Sequence, residues 1–210
     1  MEQYTAALAG NPNVGKSTVF NALTGMHQHT GNWAGKTVAS AVGTTVCCGE
    51  TILLADLPGT YSLRARSAEE AVARDFLCFA KPDAAVVVCD ATCLERGLLL
   101  VMQVLETCPK ALLCVNLLDE AEKRHITIDL PRLEQCLGIP VVGVAARSGK
   151  GLAQLQERLH ALLHEDAPSP CPVPIPEQLE EPLQLVQAAL PENGNGLPPL
   201  WTAKRLLEPE

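Results

Sequence analysis

Five short apolar runs, at residues 4–9, 51–55, 84–89, 111–115 and 141–145, alternate with stretches whose apolar positions repeat at helical spacing, at 17–23, 68–79, 94–106, 130–137 and 152–163. Runs of this length with almost no polar interruption suit strands buried on both faces, as in a parallel sheet covered by helices. In the last helical stretch Leu152, Leu155, Leu159 and Leu162 fall on one face, which must pack against something apolar. The pattern therefore predicts an α/β fold with a mostly parallel sheet flanked by helices. It ends at His164. Ten of the sixteen prolines follow Ala167, and PSPCPVPIP places them almost every second residue, the signature of an extended, semi-rigid linker. Beyond it Leu179, Leu183, Val186 and Leu190 space like a helix face, and 201–208 reads as the first turns of another helix. The predicted organisation is a domain over 1–165, a proline-rich linker over 166–177, and an incomplete α-helical domain over 178–210.

Chemistry enters at the ends of the predicted strands. Residues 10–17, GNPNVGKS, fit G-x-x-x-x-G-K-S/T between a strand and a helix. Such a loop lets backbone N–H groups of Gly10, Asn11, Pro12, Asn13, Val14 and Gly15 and their neighbours curl around phosphates (Pro12 shaping the turn without a donor), with the helix N-terminus aimed at the same charge. Lys16 would reach the β- and γ-phosphates, Ser17 would hold Mg²⁺, and Thr18 would complete the loop. Asp56, Leu57, Pro58 and Gly59 follow the strand at 51–55. A strand-ending aspartate is costly to bury unless it serves an ion, so Asp56 is expected to meet Mg²⁺ through water, and the Gly59 backbone to meet the γ-phosphate. Asn116, Leu117 and Asp119 follow a third strand. A carboxylate at Asp119 can accept from both N1–H and N2–H₂ of guanine, which adenine does not offer, while Asn116 braces the loop. Taken alone, Asn-x-x-Asp equally suits a helix cap. Ala145, Ala146 and Arg147 end the fifth strand, where backbone amides would lie against the base.

A loop threonine, Thr37, sits between the first two motifs in GNWAGKTV, a stretch with no helical or strand period. In order, these motifs resemble the layout of a Ras-like P-loop GTPase, with a mostly parallel six-stranded sheet. That layout makes 25–38 switch I, with Gly35, Lys36 and Thr37 closing on GTP and Thr37 on Mg²⁺, and places Trp33 on the loop that covers the nucleotide. Lys16, Thr37 and Gly59 are then the expected catalytic groups. Both switches should order around the γ-phosphate and relax after hydrolysis.

Composition narrows the field. Hydrophobic residues make up 47% of 210, enough for a buried core, and no apolar run approaches the roughly 18 residues needed to cross a bilayer. The chain therefore reads as a soluble, cytosolic-type polypeptide. The net charge of −8 is mostly carried after residue 164, where eight acidic residues face two basic ones. A near-neutral first domain lacks the basic surface that nucleic acid requires. The nine cysteines include no C-x-x-C, and most sit in apolar segments, where a reduced thiol behaves as a small hydrophobe. Cys171, in the proline-rich stretch, is the expected exposed one. His27 and His29 lie on the switch side and read as solvated rather than as an iron site.

Several stretches go beyond general GTPase motifs: GNPNVGKSTVFNALTG, GNWAGKTV, DLPGTYSL, SAEEAVARDF, DATCLERGLLL and NLLDEAEKRHITID. With them the chain resembles the cytosolic GTPase domain of the ferrous iron transport protein B family over residues 6–163, and again, weakly, at WTAKRLLE. The resemblance implies a GTP-binding regulatory domain at the cytoplasmic face of the inner membrane, whose partners are guanine nucleotide and the transporter's own membrane domain; self-association is left open. It assigns Asn13 to K⁺, whose charge would take the place of an arginine finger. It also implies slow hydrolysis, because Tyr61 stands where other GTPases carry a water-orienting glutamine, and a phenol with a pKa of about 10 is a poor base. Glu69 and Glu70 are the competing candidates for that base. Ala34, Lys36 and Ala145 depart from the family pattern, and weak GDP retention follows as an expectation. The alternatives are an RNA-linked GTPase, of ribosome assembly or tRNA modification, and a non-hydrolysing nucleotide-binding module. The near-neutral domain and Leu117, where NKxD has lysine, argue against the first.

Overall fold

The computed structural model describes residues 3–25, 28–31, 40–171, 175–191 and 197–207, with 28–31 and 40 described by their backbone alone. The chain runs β1 (Thr5–Gly10), α1 (Lys16–Thr24), β2 (Gln28–Gly31), β3 (Ser40–Cys47), β4 (Glu50–Asp56), α2 (Ala68–Asp75), β5 (Ala84–Asp90), α3 (Leu94–Thr107), β6 (Ala111–Asn116), α4 (Leu118–Lys123), α5 (Leu130–Leu137), β7 (Val141–Gly143), α6 (Leu152–His164), α7 (Glu177–Ala189) and α8 (Pro199–Leu207). Among the described residues one sheet has the order β2-β3-β4-β1-β5-β6-β7. The strands from β4 to β7 in that order are parallel, and β3 pairs antiparallel with both β4 and β2.

The apolar runs are the strands at the centre of this sheet. Every residue of β6, and all of β5 but its last, is buried. Alternate residues serve opposite faces. On one face Leu8, Val86, Val88, Leu112 and Cys114 join Val19, Phe20 and Leu23 of α1 and Leu155, Leu159 and Leu162 of α6 in a single core cluster. On the other, α3 lies against β5 and β6, so closely that a Cβ on Gly97 would strike the Cys89 sulfur. Each fully buried Leu or Phe of this core contributes about 1.5–3 kcal/mol relative to exposure.

Five elements differ from the pattern reading. The helix expected over 68–79 is α-helical only to Asp75, then closes in a π-helical turn over Phe76–Ala80 that stops at Lys81 in the left-handed region (φ 51°). The strand expected over 141–145 pairs only to Gly143, and Ala145 instead bridges Lys150. A short helix, α4, follows Asn116. Two strands, β2 and β3, lie where no apolar run announced them, and they give the mostly parallel sheet an antiparallel edge.

Five cysteines (Cys47, Cys78, Cys89, Cys108 and Cys114) are buried, and Cys48, Cys136 and Cys171 are exposed. Burial pushes the Cys89 thiol up to about 12, with the charges of Cys93 and Asp90 adding to it. Burial pushes Cys108 to about 11. These thiols pack as uncharged hydrophobes at neutral pH.

The chain divides into two compact units, Met1–Pro170 and Cys171–Glu210. In the second, α7 and α8 contact each other. Helix α8 opens on Pro199 at its first turn, where the missing N–H costs nothing, and the Arg205 guanidinium stacks 5.4 Å from the Trp201 ring. Among the described residues no helix is long and apolar enough to cross a membrane.

Candidate functional site

β1 delivers the chain to the C-terminal edge of the sheet at Gly10, where a side chain has no room: a Cβ would lie 2.6 Å from the Val88 carbonyl oxygen. The loop then takes left-handed conformations at Asn13 (φ 65°) and Gly15 (φ 79°). At Gly15 any other residue is strained twice, by its φ and because a Cβ would come within 2.5 Å of the Asn116 amide nitrogen. Gly15 is also the N-cap of α1, and no side chain caps that helix. Its first N–H groups are therefore left for an anion, at the positive end of the helix dipole.

Three polar side chains converge beside this turn. Lys16, a residue only 8% exposed, pairs its ammonium with Oδ1 of Asp56. The Ser17 hydroxyl donates to Oδ2 of the same carboxylate at 3.1 Å. Asp56 reaches this place because it ends β4 in register with Leu8 of β1. The segment after it is tied down by two backbone bonds, Leu57 N–H to the Leu8 carbonyl (3.0 Å) and Thr60 N–H to the Gly10 carbonyl (3.1 Å). These bring Gly59 so close that a Cβ there would sit 3.1 Å from Pro12. The result is an open cavity of about 370 Å³ lined by Asn11, Asn13, Lys16, Ser17, Gly59 and Glu69, among others. A cation, a hydroxyl, a carboxylate and uncapped N–H groups in one cleft form a donor set suited to phosphate and a hard divalent cation.

The second group lies against the first through one side chain. Asn116 is buried; its amide nitrogen donates to the Val14 carbonyl at 3.0 Å, and its Oδ1 accepts from Ala146 N–H at 3.2 Å. One residue thus fixes the phosphate loop against the loop after β7. Leu117 is left-handed (φ 64°) and caps α4, which puts Asp119 in that helix's first turn. Ala145 and Ala146 are buried, and Arg147 is exposed.

The predicted residues thus fall into two joined sets: Gly10 to Thr18 with Asp56 to Gly59, and Asn116, Leu117 and Asp119 with Ala145 to Arg147. Gly35, Lys36 and Thr37, with Trp33, Ala34 and His27, lie outside the described residues. The competing carboxylates separate. Glu70 is engaged in capping α2, its carboxylate accepting from Arg66 N–H at 2.9 Å while its own N–H donates to Ser67 Oγ at 3.1 Å. Glu69 faces the cavity, and Tyr61 is half exposed. Motif reading missed Thr60, which is fully buried and donates from its hydroxyl to the Ser62 carbonyl at 2.6 Å, shaping the turn after Gly59. It also missed the bond from the Asn11 amide to the Arg96 carbonyl at 3.1 Å, which ties the phosphate loop to α3. That link spans 85 residues and has no local signal.

A glycine-rich loop between the central strand and α1, a strand-ending aspartate on the neighbouring strand and an asparagine latch to a third loop occur together in the Ras-like P-loop GTPase fold, and this is the class to which the domain conforms. Residues 4–159 match the sequence profile of the family described as Ferrous iron transport protein B, and the chain belongs to that family. It is 41% identical over 160 residues to the Fe(2+) transporter FeoB of Salmonella typhimurium, an alignment covering 74% of this chain and 21% of that protein. The chain therefore spans about one fifth of the length of the curated relatives it matches. Among solved structures it is similar to the cytosolic domain of T. maritima FeoB in a GMPPNP form, at 36% identity and a TM-score of 0.91, covering 98% of this chain and 81% of that one. A GDP form of the same domain gives 36% identity and a TM-score of 0.92, with 98% and 82% covered.

Proposed function

We propose that this chain is the guanine-nucleotide-binding regulatory part of a ferrous iron transporter: it binds GTP and GDP with Mg²⁺ and hydrolyses GTP slowly, with stimulation by K⁺. The observation that carries this reading is the convergence of Lys16, Ser17 and Asp56 on the phosphate loop, latched by Asn116 to the loop at Ala146. The solved T. maritima relatives with GDP and GMPPNP support guanine nucleotide as the ligand. Residues 1–165 form the GTPase domain in this reading, 166–177 the linker, and 178–210 the start of a helical domain. The full transporter would place this part on the cytoplasmic side of its membrane domain.

Backbone N–H groups of the loop over 10–18, Pro12 excepted, hold the phosphates, and Lys16 exchanges its bond to Asp56 for the β- and γ-phosphate oxygens. Ser17 and Thr37 would hold Mg²⁺ directly and Asp56 through water, and Mg²⁺ bound there would supply charge neutralisation for the phosphates. Asn13 would offer its amide oxygen to K⁺, whose charge would add to that at the same place. Asp119 accepts from guanine, with Leu117 and Ala145 to Arg147 against the base. Gly35, Lys36 and Leu57 to Gly59 contribute backbone groups around the γ-phosphate, and the Gly59 and Thr37 backbones orient the attacking water. No glutamine assists them, so the rate is low. Without a serine hydroxyl at Ala145, GDP is held weakly and exchanges without a helper.

Single-turnover hydrolysis of GTP in K⁺ buffer and then in Na⁺ buffer tests the reading. Phosphate release should exceed that of GTP alone in both and be faster in K⁺. Release no faster than uncatalysed GTP in either salt makes the chain a non-hydrolysing module instead.

A further inference from the structure

The strand that carries Asp56 to the nucleotide cleft begins, six residues earlier, at a second cluster. Glu50 opens β4 directly after a two-residue turn at Cys48 (φ 51°) and Gly49 (φ 82°), which sets Cys47 opposite Glu50 across the hairpin. The tightness of that turn fixes where the Glu50 carboxylate can go. Facing it are His160 and His164 of α6, four residues apart and therefore on one side of the helix. Both imidazoles point Nε2 at the same carboxylate oxygen, Oε2 of Glu50, at 3.4 Å from His160 and 2.7 Å from His164. The two rings lie 4.5 Å apart, and the Tyr4 ring packs edge-on against His164 at 5.2 Å, which restrains its orientation.

We infer that Glu50, His160 and His164 form a binding site for a divalent first-row transition cation, separate from the nucleotide cleft. All three ligand atoms already lie within 4.8 Å of one another. A tetrahedral ion with bonds of about 2.1 Å separates its ligand atoms by about 3.4 Å, so the side chains need to move by only a fraction of that to close on it. Two neutral imidazoles and one carboxylate form a mixed nitrogen–oxygen set of net charge −1. That set favours borderline cations such as Zn²⁺, Co²⁺ or Fe²⁺ over Mg²⁺ and Ca²⁺, which prefer all-oxygen cages. With three protein ligands the remaining positions stay open to water, and the side chains are 23–45% exposed, so an ion can enter and leave. Along β4 the site stands roughly 20 Å from Asp56 at the rise of an extended strand. The bound ion would fasten the β3–β4 hairpin to the last turn of α6, the helix that leads directly into Glu165 and the proline-rich segment. The assignment does not depend on the nucleotide reading.

Co²⁺ alone, titrated into the full chain with its thiols kept reduced, tests it. The expected result is one saturable Co²⁺ per chain, with visible ligand-field bands, no sulfur-to-cobalt band in the near ultraviolet, and displacement by Zn²⁺. Changing a group that merely supports a ligand costs 10–100-fold in affinity, so removing both imidazoles in His160→Ala/His164→Ala should weaken binding by more than about 100-fold. The ion should raise the melting temperature of the unaltered chain and leave that of the double variant where it was. Glu50→Gln, which keeps the side-chain shape, gives the same direction of effect should the double variant fold poorly. Absence of saturable binding, unchanged affinity in the variants, or a thiolate band would each overturn the assignment.

Discussion

At one end of β4 the Asp56 side chain is 11% exposed and bonded to Lys16 and Ser17; at the other the Glu50 side chain is 45% exposed and faces two histidines. The two carboxylates share a strand and differ in what surrounds them. The Asp56 side chain is mostly buried at the edge of the cleft, its partner is an ammonium, and the segment after it is tied to β1 by backbone bonds. There an ion pair is strong, and removal of one member leaves the other stranded. Glu50 sits closer to water, with imidazole partners whose lone pairs can serve a metal instead. Enclosure makes the first end a fixed recognition device, and exposure makes the second an exchangeable one.

The contrast can be broken most severely at Lys16. Lys16→Ala strands the Asp56 carboxylate and removes the proposed phosphate ligand, so GDP affinity should fall by at least about 100-fold, roughly 3 kcal/mol, in a fluorescent-nucleotide titration. An intermediate case sharpens it. Glu134, 39% exposed, accepts from Val141 N–H at 3.0 Å and pairs with Arg158. Partial burial alone would raise its pKa, but the Val141 and Arg158 bonds outweigh this and hold it below the ordinary 4.5. Because the folded value is the lower one, its contribution to stability is complete above the unfolded value and disappears as pH falls through the folded one. Glu134→Gln should therefore lower the melting temperature modestly at pH 7, and the difference from the unaltered chain should shrink as pH falls through the lowered pKa. The smallest effect is expected at Glu50: in the presence of a chelator, Glu50→Gln should change stability by no more than about 0.5 kcal/mol in urea denaturation. A large loss there would mean the exposed end is as tightly built as the enclosed one.

The central strands were legible because β5 and β6 are buried on both faces and so carry polar residues only at their last positions, Asp90 and Asn116. β3, SAVGTTVC, was not. It is paired with a short edge strand, and its Thr45 is buried only because Gln156 of α6 donates to its hydroxyl at 2.8 Å, a bond across 111 residues. α4 escaped notice because its start depends on a leucine in a left-handed conformation, which residue type does not advertise. At the nucleotide cleft, the order of glycine loop, aspartate and Asn-x-x-Asp was plain, since each motif is local. What locality hides is which groups meet: the latch of Asn116 on Val14, the division of labour between Glu69 and Glu70, and the His–Glu cluster. His160 and His164 had helical spacing in the sequence, but their carboxylate lies 110 residues away and reaches them only through the fold.

The proposed function requires the latched loops to select guanine. Titration of GDP and ADP into the unaltered chain and into Asp119→Asn tests it most directly. At least about a 100-fold preference for GDP is expected, because a carboxylate proposed to bond the guanine edge would be stranded on adenine, with loss of that preference in the variant. Equal affinity for the two nucleotides in the unaltered chain, or an undiminished preference in Asp119→Asn, would contradict it.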